Sequence, residues 1–270
     1  MADFICPVCG LPLNLSEKVY RCENNHCFDK SKFGYVNLLR SNSSSAKRHG
    51  DDRLMIRSRR DFLSKGYYSV LLDELCDVCG KYAPEGTLLI DAGCGECYYS
   101  SSILERFPSY SAIGADISKD ALEFAHKRGT AFPLCVASIS DLPFENGKAD
   151  IILSCFAPGS PAEFSRILKD DGILIKVVPL EDHLFSLKSA IYEKPYANEK
   201  PDTGEVGFEL LEFREIRRDI YLDNNDDIMN LFRMTPYYYK TGREDQQKAE
   251  ALDEITVCAA FGIAVYRKAR

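Results

Sequence analysis

From Thr87 onward, short apolar runs alternate with stretches of helical periodicity. Residues 87–95 (TLLIDAGCG) read as a strand running into a glycine turn, 98–107 as a helix, 111–118 as a strand and 119–128 as a helix. Strands are then predicted over 133–138, 149–156 and 172–180, with a helix over 162–170 before the last of them. Two later runs, 212–222 and 255–267, suit an antiparallel edge. Upstream, 67–83 has helical spacing at Val70, Leu71, Leu75 and Val78. This alternation argues for an α/β fold with a doubly wound, mostly parallel sheet. Such sheets bind ligands at the carboxyl ends of their strands.

The first quarter of the chain has no such pattern. It carries a C-x2-C pair, Cys6 and Cys9, followed by Cys22, His26 and Cys27. Zinc takes four Cys or His ligands tetrahedrally, and C-x2-C on a tight turn supplies two of them. Cys22 with either His26 or Cys27 would complete the set. A segment this short has too little apolar content to fold without such a staple. A closed four-ligand site does no chemistry, so the module reads as a recognition unit. The Ser- and Asn-rich stretch SNSSSAKRHG after it reads as a linker. The expected organisation is a zinc-binding module over 1–40, a basic linker and the start of a connecting helix over 41–66, and the main domain over 67–270.

Composition changes the picture at two points. The net charge is −7, which on its face argues against a nucleic-acid partner. Yet residues 1–66 hold 12 Lys/Arg against 7 Asp/Glu, while the rest holds 22 against 34. Lys47, Arg48, Arg53, Arg57, Arg59 and Arg60 form a basic run that could clamp a polyanion. The 11 cysteines are too few for a disulfide scaffold. Asp3 and paired cysteines stand where a signal peptide needs a basic start and an apolar run, and Val257–Val265 is too short to span a membrane. A soluble cytosolic protein with thiols or metal-bound cysteines is expected. Cys76 and Cys79 fit core positions of a helix, and Cys94 and Cys97 fit small positions in the glycine turn.

That turn, D-A-G-C-G-E-C, begins at Asp91. Glycines allow close backbone approach and a helix N-terminus adds a favourable dipole. Asp91 would repel a pyrophosphate, and Tyr98 stands where a dinucleotide fingerprint needs its last glycine. Both favour a cationic ligand without phosphates, such as S-adenosylmethionine. Asp116, at the end of the next strand, can accept from both ribose hydroxyls.

The motifs D-x-G-C-G-E, G-x-D-I-S, L-P-F and K-D-D-G-x-L together resemble a class I methyltransferase. Preceded by C-P-x-C, C-x3-H, F-D and K-x-G-Y-V-N-L-L, and joined by Gly50-Asp51, R-x-F-L-x-x-G-x-Y (Arg60–Tyr68), Phe156–Pro158, H-L-x-x-L-K (His183–Lys188) and Met234–Pro236, the chain resembles the RlmA-type 23S rRNA (guanine-N1) methyltransferases over nearly its whole length. The resemblance implies an S-adenosylmethionine-dependent methyltransferase domain behind a small zinc ribbon, acting on N1 of a guanine in a 23S rRNA hairpin, in the cytoplasm and as a homodimer. It places zinc on Cys6, Cys9, Cys22 and His26, leaving Cys27 a neighbour. It places the cofactor on Tyr68, Asp91, Gly93, Gly95, Tyr99, Ser100, Asp116 and His183. Three positions depart from the pattern: Cys97 replaces the third glycine of the turn, Ser138 stands where an adenine-binding Asp is usual, and Lys169-Asp170-Asp171-Gly172 replaces Lys-Pro-Gly-Gly.

Methyl transfer from a sulfonium is an in-line displacement governed by alignment. Guanine N1 carries a proton, so a base must take it or the anion must be stabilised. Glu96, Asp141 and His183 are the candidate bases. Phe156 and Tyr237–Tyr239 offer stacking faces for a base out of its helix. Two competing readings are a small-molecule methyltransferase with a zinc-ribbon interaction module, which predicts no basic surface across the modules, and a non-catalytic zinc-ribbon adaptor with a decayed body. Intact Asp91, Gly93, Gly95 and Asp116 speak against decay.

Overall fold

The computed structural model describes residues 3–40 and 51–269. The chain starts with four short strands, β1 (Phe4–Ile5), β2 (Pro12–Ser16), β3 (Val19–Arg21) and β4 (Cys27–Asp29), paired antiparallel in that order. Then come β5 (Tyr35–Asn37), α1 (Arg53–Leu63), α2 (Ser69–Tyr82), β6 (Leu88–Ala92), α3 (Tyr98–Arg106), β7 (Ser111–Asp116), α4 (Lys119–Arg128), β8 (Leu134–Val136), β9 (Ala149–Cys155), α5 (Pro161–Ile167) and β10 (Leu168–Pro179). The last third holds α6 (Phe185–Ile191), β11 (Phe208–Leu222), α7 (Asn225–Arg233), α8 (Arg243–Glu250) and β12 (Ile255–Lys268).

The large sheet has eight strands in the order β11-β12-β10-β9-β6-β7-β8-β5. Pairing is parallel from β10 through β5 and antiparallel at β12 and β11. β6, β9 and β10 are runs of Leu, Ile and Val buried on both faces, as a sheet covered by helices on both sides requires. β11 instead leaves Glu209, Glu215, Arg217, Arg218 and Asp219 exposed, which suits an open edge. Ser118 caps α4 by accepting from the Ala121 amide at 3.3 Å, and Gly129 ends it in the left-handed region.

The ribbon is fastened to the body rather than tethered beside it. Phe4 packs on Phe144, ring centroids 6.0 Å apart. The Ile5 amide donates to the Pro143 carbonyl at 2.8 Å, and Lys148 Nζ donates to the Asp3 carbonyl at 3.1 Å. Phe4, Leu13 and Tyr20 share one buried cluster with Ile90, Ile152 and Phe164 of the body. The first 40 residues thus feed both sheets, because β5 joins the large one beside β8.

One predicted element ends early. The helix expected over 162–170 stops at Ile167, and Leu168 opens β10. The strand shifts register between Leu168 and Ile173, and a Cβ on Gly172 would lie 3.0 Å from the Ala149 and Asp150 carbonyls. Lys169 leaves the helix to pair with Asp150 at 2.7 Å.

Candidate active site

A cavity of about 910 Å³ opens at the carboxyl ends of β6, β7, β9 and β10, roofed by α1 and by the turn after α7. Asp91 is the penultimate residue of β6 and Asp116 closes β7, so both carboxylates reach the same wall. The Gly95 amide donates to Asp116 Oδ2 and the Ser118 amide to Oδ1, both at 2.8 Å. These backbone donors orient Asp116 and oppose the rise in its pKa that burial causes. Asp91 is 3% exposed and burial pushes its pKa up to about 7, with the Ser100 hydroxyl pulling the other way. Ser100 itself is fully buried behind the wall and does not line the cavity.

The glycine turn is shaped by contact. Gly93 has φ +86°, and a Cβ there would lie 2.6 Å from the Ala157 Cβ. Cys97 holds a left-handed conformation (φ 63°) as the residue before α3, at the position of the absent third glycine. Tyr68, Gly95, Tyr99 and His183 also line the cavity. The Tyr68 and Tyr99 hydroxyls are buried there without a hydrogen-bond partner among the described residues. Two carboxylates, one buried and one half-buried, two unsatisfied phenols and apolar walls suit a ligand that brings positive charge and its own polar groups. S-adenosylmethionine fits that set. In place of the usual adenine-side Asp, the structure presents Ser138, Ile139 and Ser140, with the two serine Oγ atoms 2.8 Å apart.

At the ribbon, the ligand atoms of Cys6, Cys9, Cys22 and His26 lie within 4.8 Å of one another. The Cys9 and Cys22 sulfurs are 3.7 Å apart, and His26 Nδ1 is 3.4 Å from Cys6 Sγ and 3.5 Å from Cys22 Sγ. Zn–S bonds of about 2.3 Å at tetrahedral angles put sulfurs about 3.8 Å apart, so the set matches a zinc site. The Leu11 amide brings the Cys9 pKa down to about 6, towards the thiolate that zinc requires. Cys27 is exposed and its thiol donates to the Asn25 carbonyl, away from the cluster.

Comparison with known sequences agrees with this architecture. The N-terminal zinc-ribbon model of RlmA matches residues 4–47, and a methyltransferase-domain model matches residues 89–172. A Streptomyces fradiae protein named 23S rRNA (guanine(748)-N(1))-methyltransferase is 35% identical over 69% of this chain, which spans 66% of that relative. A Bacillus subtilis relative, provisionally named for 23S rRNA (guanine-N1) methylation, is 34% identical over 70% of this chain and 68% of its own. The chain belongs to the RlmA-type 23S rRNA (guanine-N1) methyltransferase family. Among solved structures, a chain from a Haloferax volcanii complex of a methyltransferase with its activator superposes with a TM-score of 0.51 at 17% identity. It covers 82% of this chain and 100% of its own, and shares the fold.

Within this RlmA-type cavity, the three candidate bases are placed differently. Glu96 is 2% exposed and holds Arg128 through both oxygens, with Nη2 at 2.7 and 2.8 Å. It fixes the glycine turn to α4. Asp141 is outside the cavity lining and pairs with Arg40 at 3.0 Å. His183 lines the cavity, but its Nδ1 accepts from the Ala260 amide at 3.1 Å, and burial pushes its pKa down to about 4. A neutral imidazole that accepts at Nδ1 carries its proton on Nε2, so His183 offers a donor and not a base.

The predicted phosphate-binding arginines of this RlmA-type chain lie on α1 and are largely engaged. Arg53 pairs with Asp120 at 3.1 Å and Glu123 at 3.2 Å, and Arg59 with Asp51 at 2.6 Å inside the cavity wall. Arg60 pairs with Asp61 at 2.5 Å and lies over the Phe124 ring. Arg57 is the most exposed of the four, its side chain 69% accessible, with Asp61 at 3.8 Å. Lys47 and Arg48 lie outside the described residues. Phe156 projects at the cavity, 45% exposed at φ 54°, and Tyr237 lines it, whereas Tyr238 packs on Phe232. Asp51, Met55 and Leu63 also line the cavity. The sequence offered Asp51 and Leu63 only as members of motifs without an assigned role, and Met55 not at all, because nothing local shows that α1 folds over the strand ends.

Proposed function

We propose that this chain transfers the methyl group of S-adenosylmethionine to N1 of a guanine in 23S rRNA. The observation that carries the reading is the acidic cavity wall, buried Asp91 with half-buried Asp116, behind a glycine turn in an RlmA-type chain. Asp91 faces the cation of the cofactor, and Asp116, already oriented by two amides, takes the ribose hydroxyls. The cofactor supplies an electrophilic methyl group. Phe156 offers the target guanine a stacking face, its strained backbone held by the Phe156 amide donating to the Val177 carbonyl at 3.0 Å. Met234–Tyr237 close the acceptor side. Zinc bound by Cys6, Cys9, Cys22 and His26 keeps the ribbon folded so that it can bear on the RNA.

The basic stretch around α1, with Arg57 the most accessible of its described arginines, is the proposed phosphate contact. The same reading includes a cytoplasmic location and a homodimer that joins two basic surfaces around the hairpin. No helix among the described residues is long and apolar enough to cross a membrane. The test is primer extension on 23S rRNA from cells lacking the gene, since N1-methylguanine blocks the pairing edge that reverse transcriptase reads. A stop lost with the gene and restored by adding back the purified chain with S-adenosylmethionine supports the reading. No lost stop anywhere overturns it.

A further inference from the structure

Lys188, on α6, is an ammonium group 1% exposed. Its Nζ donates to Asn198 Oδ1 at 2.6 Å and to the Tyr196 carbonyl at 3.2 Å. It also lies 4.4 Å from the Tyr196 ring centroid and 4.3 Å from that of Tyr237. No carboxylate is among these partners. Burial lowers its pKa, while two aromatic faces and two oxygen acceptors stabilise the charged form. An apolar residue of similar size would fill this space at lower cost if filling it were the only requirement.

The network reaches the cavity at two points. Asn198 Oδ1 accepts from the Tyr237 hydroxyl at 2.8 Å, while Asn198 Nδ2 donates to the carbonyls of Leu180 at 2.9 Å and His183 at 3.4 Å. Tyr237 and His183 both line the cavity. The field of Lys188 is felt at the His183 ring, where it adds to burial in disfavouring the protonated form. Several of the charges nearby are committed to partners of their own. Asp182 pairs with Arg217 at 2.9 Å, and on α8, packed against α6, Lys248 pairs with Asp245 at 2.7 Å and Arg243 with Glu250 at 2.7 Å.

We propose that Lys188 is a positioning residue for methyl transfer, fixing Tyr237 in the acceptor wall and lending the positive potential that favours loss of the guanine N1 proton. This rests on the guanine-N1 reading above. In the step, the N1 proton leaves to solvent and its bonding pair stays on N1. That pair forms the bond to the methyl carbon while the carbon–sulfur pair returns to sulfur. The products are N1-methylguanine and the thioether. Glu96 is held by Arg128, His183 carries its Nε2 proton, and Asp91 faces the cofactor cation. Stabilising the anion therefore takes the place of a dedicated base.

The test compares the full chain with Lys188→Met and Lys188→Arg, measuring S-adenosylmethionine affinity and the pH profile of kcat on 23S rRNA. Wild-type turnover is the control, and its absence on any guanine is a failure of the functional reading, not of this one. Lys188→Met is expected to keep cofactor affinity and lose about 10- to 100-fold in kcat near neutral pH. The loss should shrink as pH approaches the range where guanine N1 ionises unaided. Lys188→Arg should recover much of kcat with the wild-type profile. An unchanged kcat in the Met variant, or a loss of the same size at every pH, overturns the proposal. Should the Met variant not fold, an Arg variant that binds cofactor yet shows a steepened pH profile overturns it equally.

Discussion

Asp91 and Asp116 line one cavity wall, yet only Asp116 has backbone amides committed to both its oxygens. At Asp91 the Ser100 hydroxyl offsets desolvation only in part, and its pKa stands near 7 against an ordinary 3.8. The folded, ligand-free chain holds a proton there that the unfolded chain releases. Its stability should fall as pH rises from about 4 to about 7, and a cationic ligand should restore it above that range. Cofactor affinity should accordingly be flat above about pH 7 and weaken below it, measured by calorimetric titration across pH. Asp91→Asn should weaken binding by about tenfold or more and flatten that profile; an unaltered profile in the variant would falsify the assignment. Gly93 carries a separate prediction. With φ +86° and 2.6 Å to the Ala157 Cβ, Gly93→Ala must displace the loop after β9. A cost of about 1–3 kcal/mol in thermal unfolding is expected, with weaker cofactor binding.

Between elements, the joint of α1 with α7 fixes Tyr68 in the cavity. Asp227, 1% exposed near the start of α7, accepts from Lys65 Nζ at 2.6 and 2.7 Å, from Tyr67 at 2.7 Å and from Asn224 at 3.0 Å. Burial alone would raise its pKa, but Lys65, Asn224 and Tyr67 hold it below the usual value. This pair stabilises the fold above the ordinary carboxylate pKa and is lost as pH falls through the depressed one. Asp227→Ala should cost about 2–4 kcal/mol by denaturant melt and should lower cofactor affinity through Tyr68. The elements also show what periodicity can and cannot deliver. The bounds of α4 were readable because Ser118 and Gly129 are local signals. α5 ended before its expected last turn because Lys169 and Gly172 answer to β9, a partner distant in sequence. α6 and α7 passed unread, since their apolar faces were not separable from the strands and loops around them, although Asn224 does cap α7 by accepting from the Asp227 amide.

For the whole molecule, the ribbon and the body share a buried cluster, so zinc loss should be felt beyond the ribbon. Chelation, or Cys22→Ala, should release the Phe4–Phe144 contact and lower the melting temperature, while cofactor binding at the carboxyl ends of the strands survives; calorimetry with and without chelator checks this. The basic first quarter sets the RNA prediction. Arg57→Glu should weaken binding to 23S rRNA and reduce the salt slope by about one to two ions. A variant with unchanged salt dependence would remove α1 from the interface. The strand–helix alternation, the cysteine–histidine set and the acidic glycine turn are legible along the chain, because each is written in local spacing and residue chemistry. Which charged groups remain available to a ligand was settled by folding. Arg53, Glu96 and Asp141 found partners remote in the chain, Arg60 came to lie over the Phe124 ring, His183 acquired its tautomer from Ala260, and Lys188 came to rest among tyrosines. Ion pairing, tautomer and burial depend on neighbours that folding brings together, and no spacing along the chain records them.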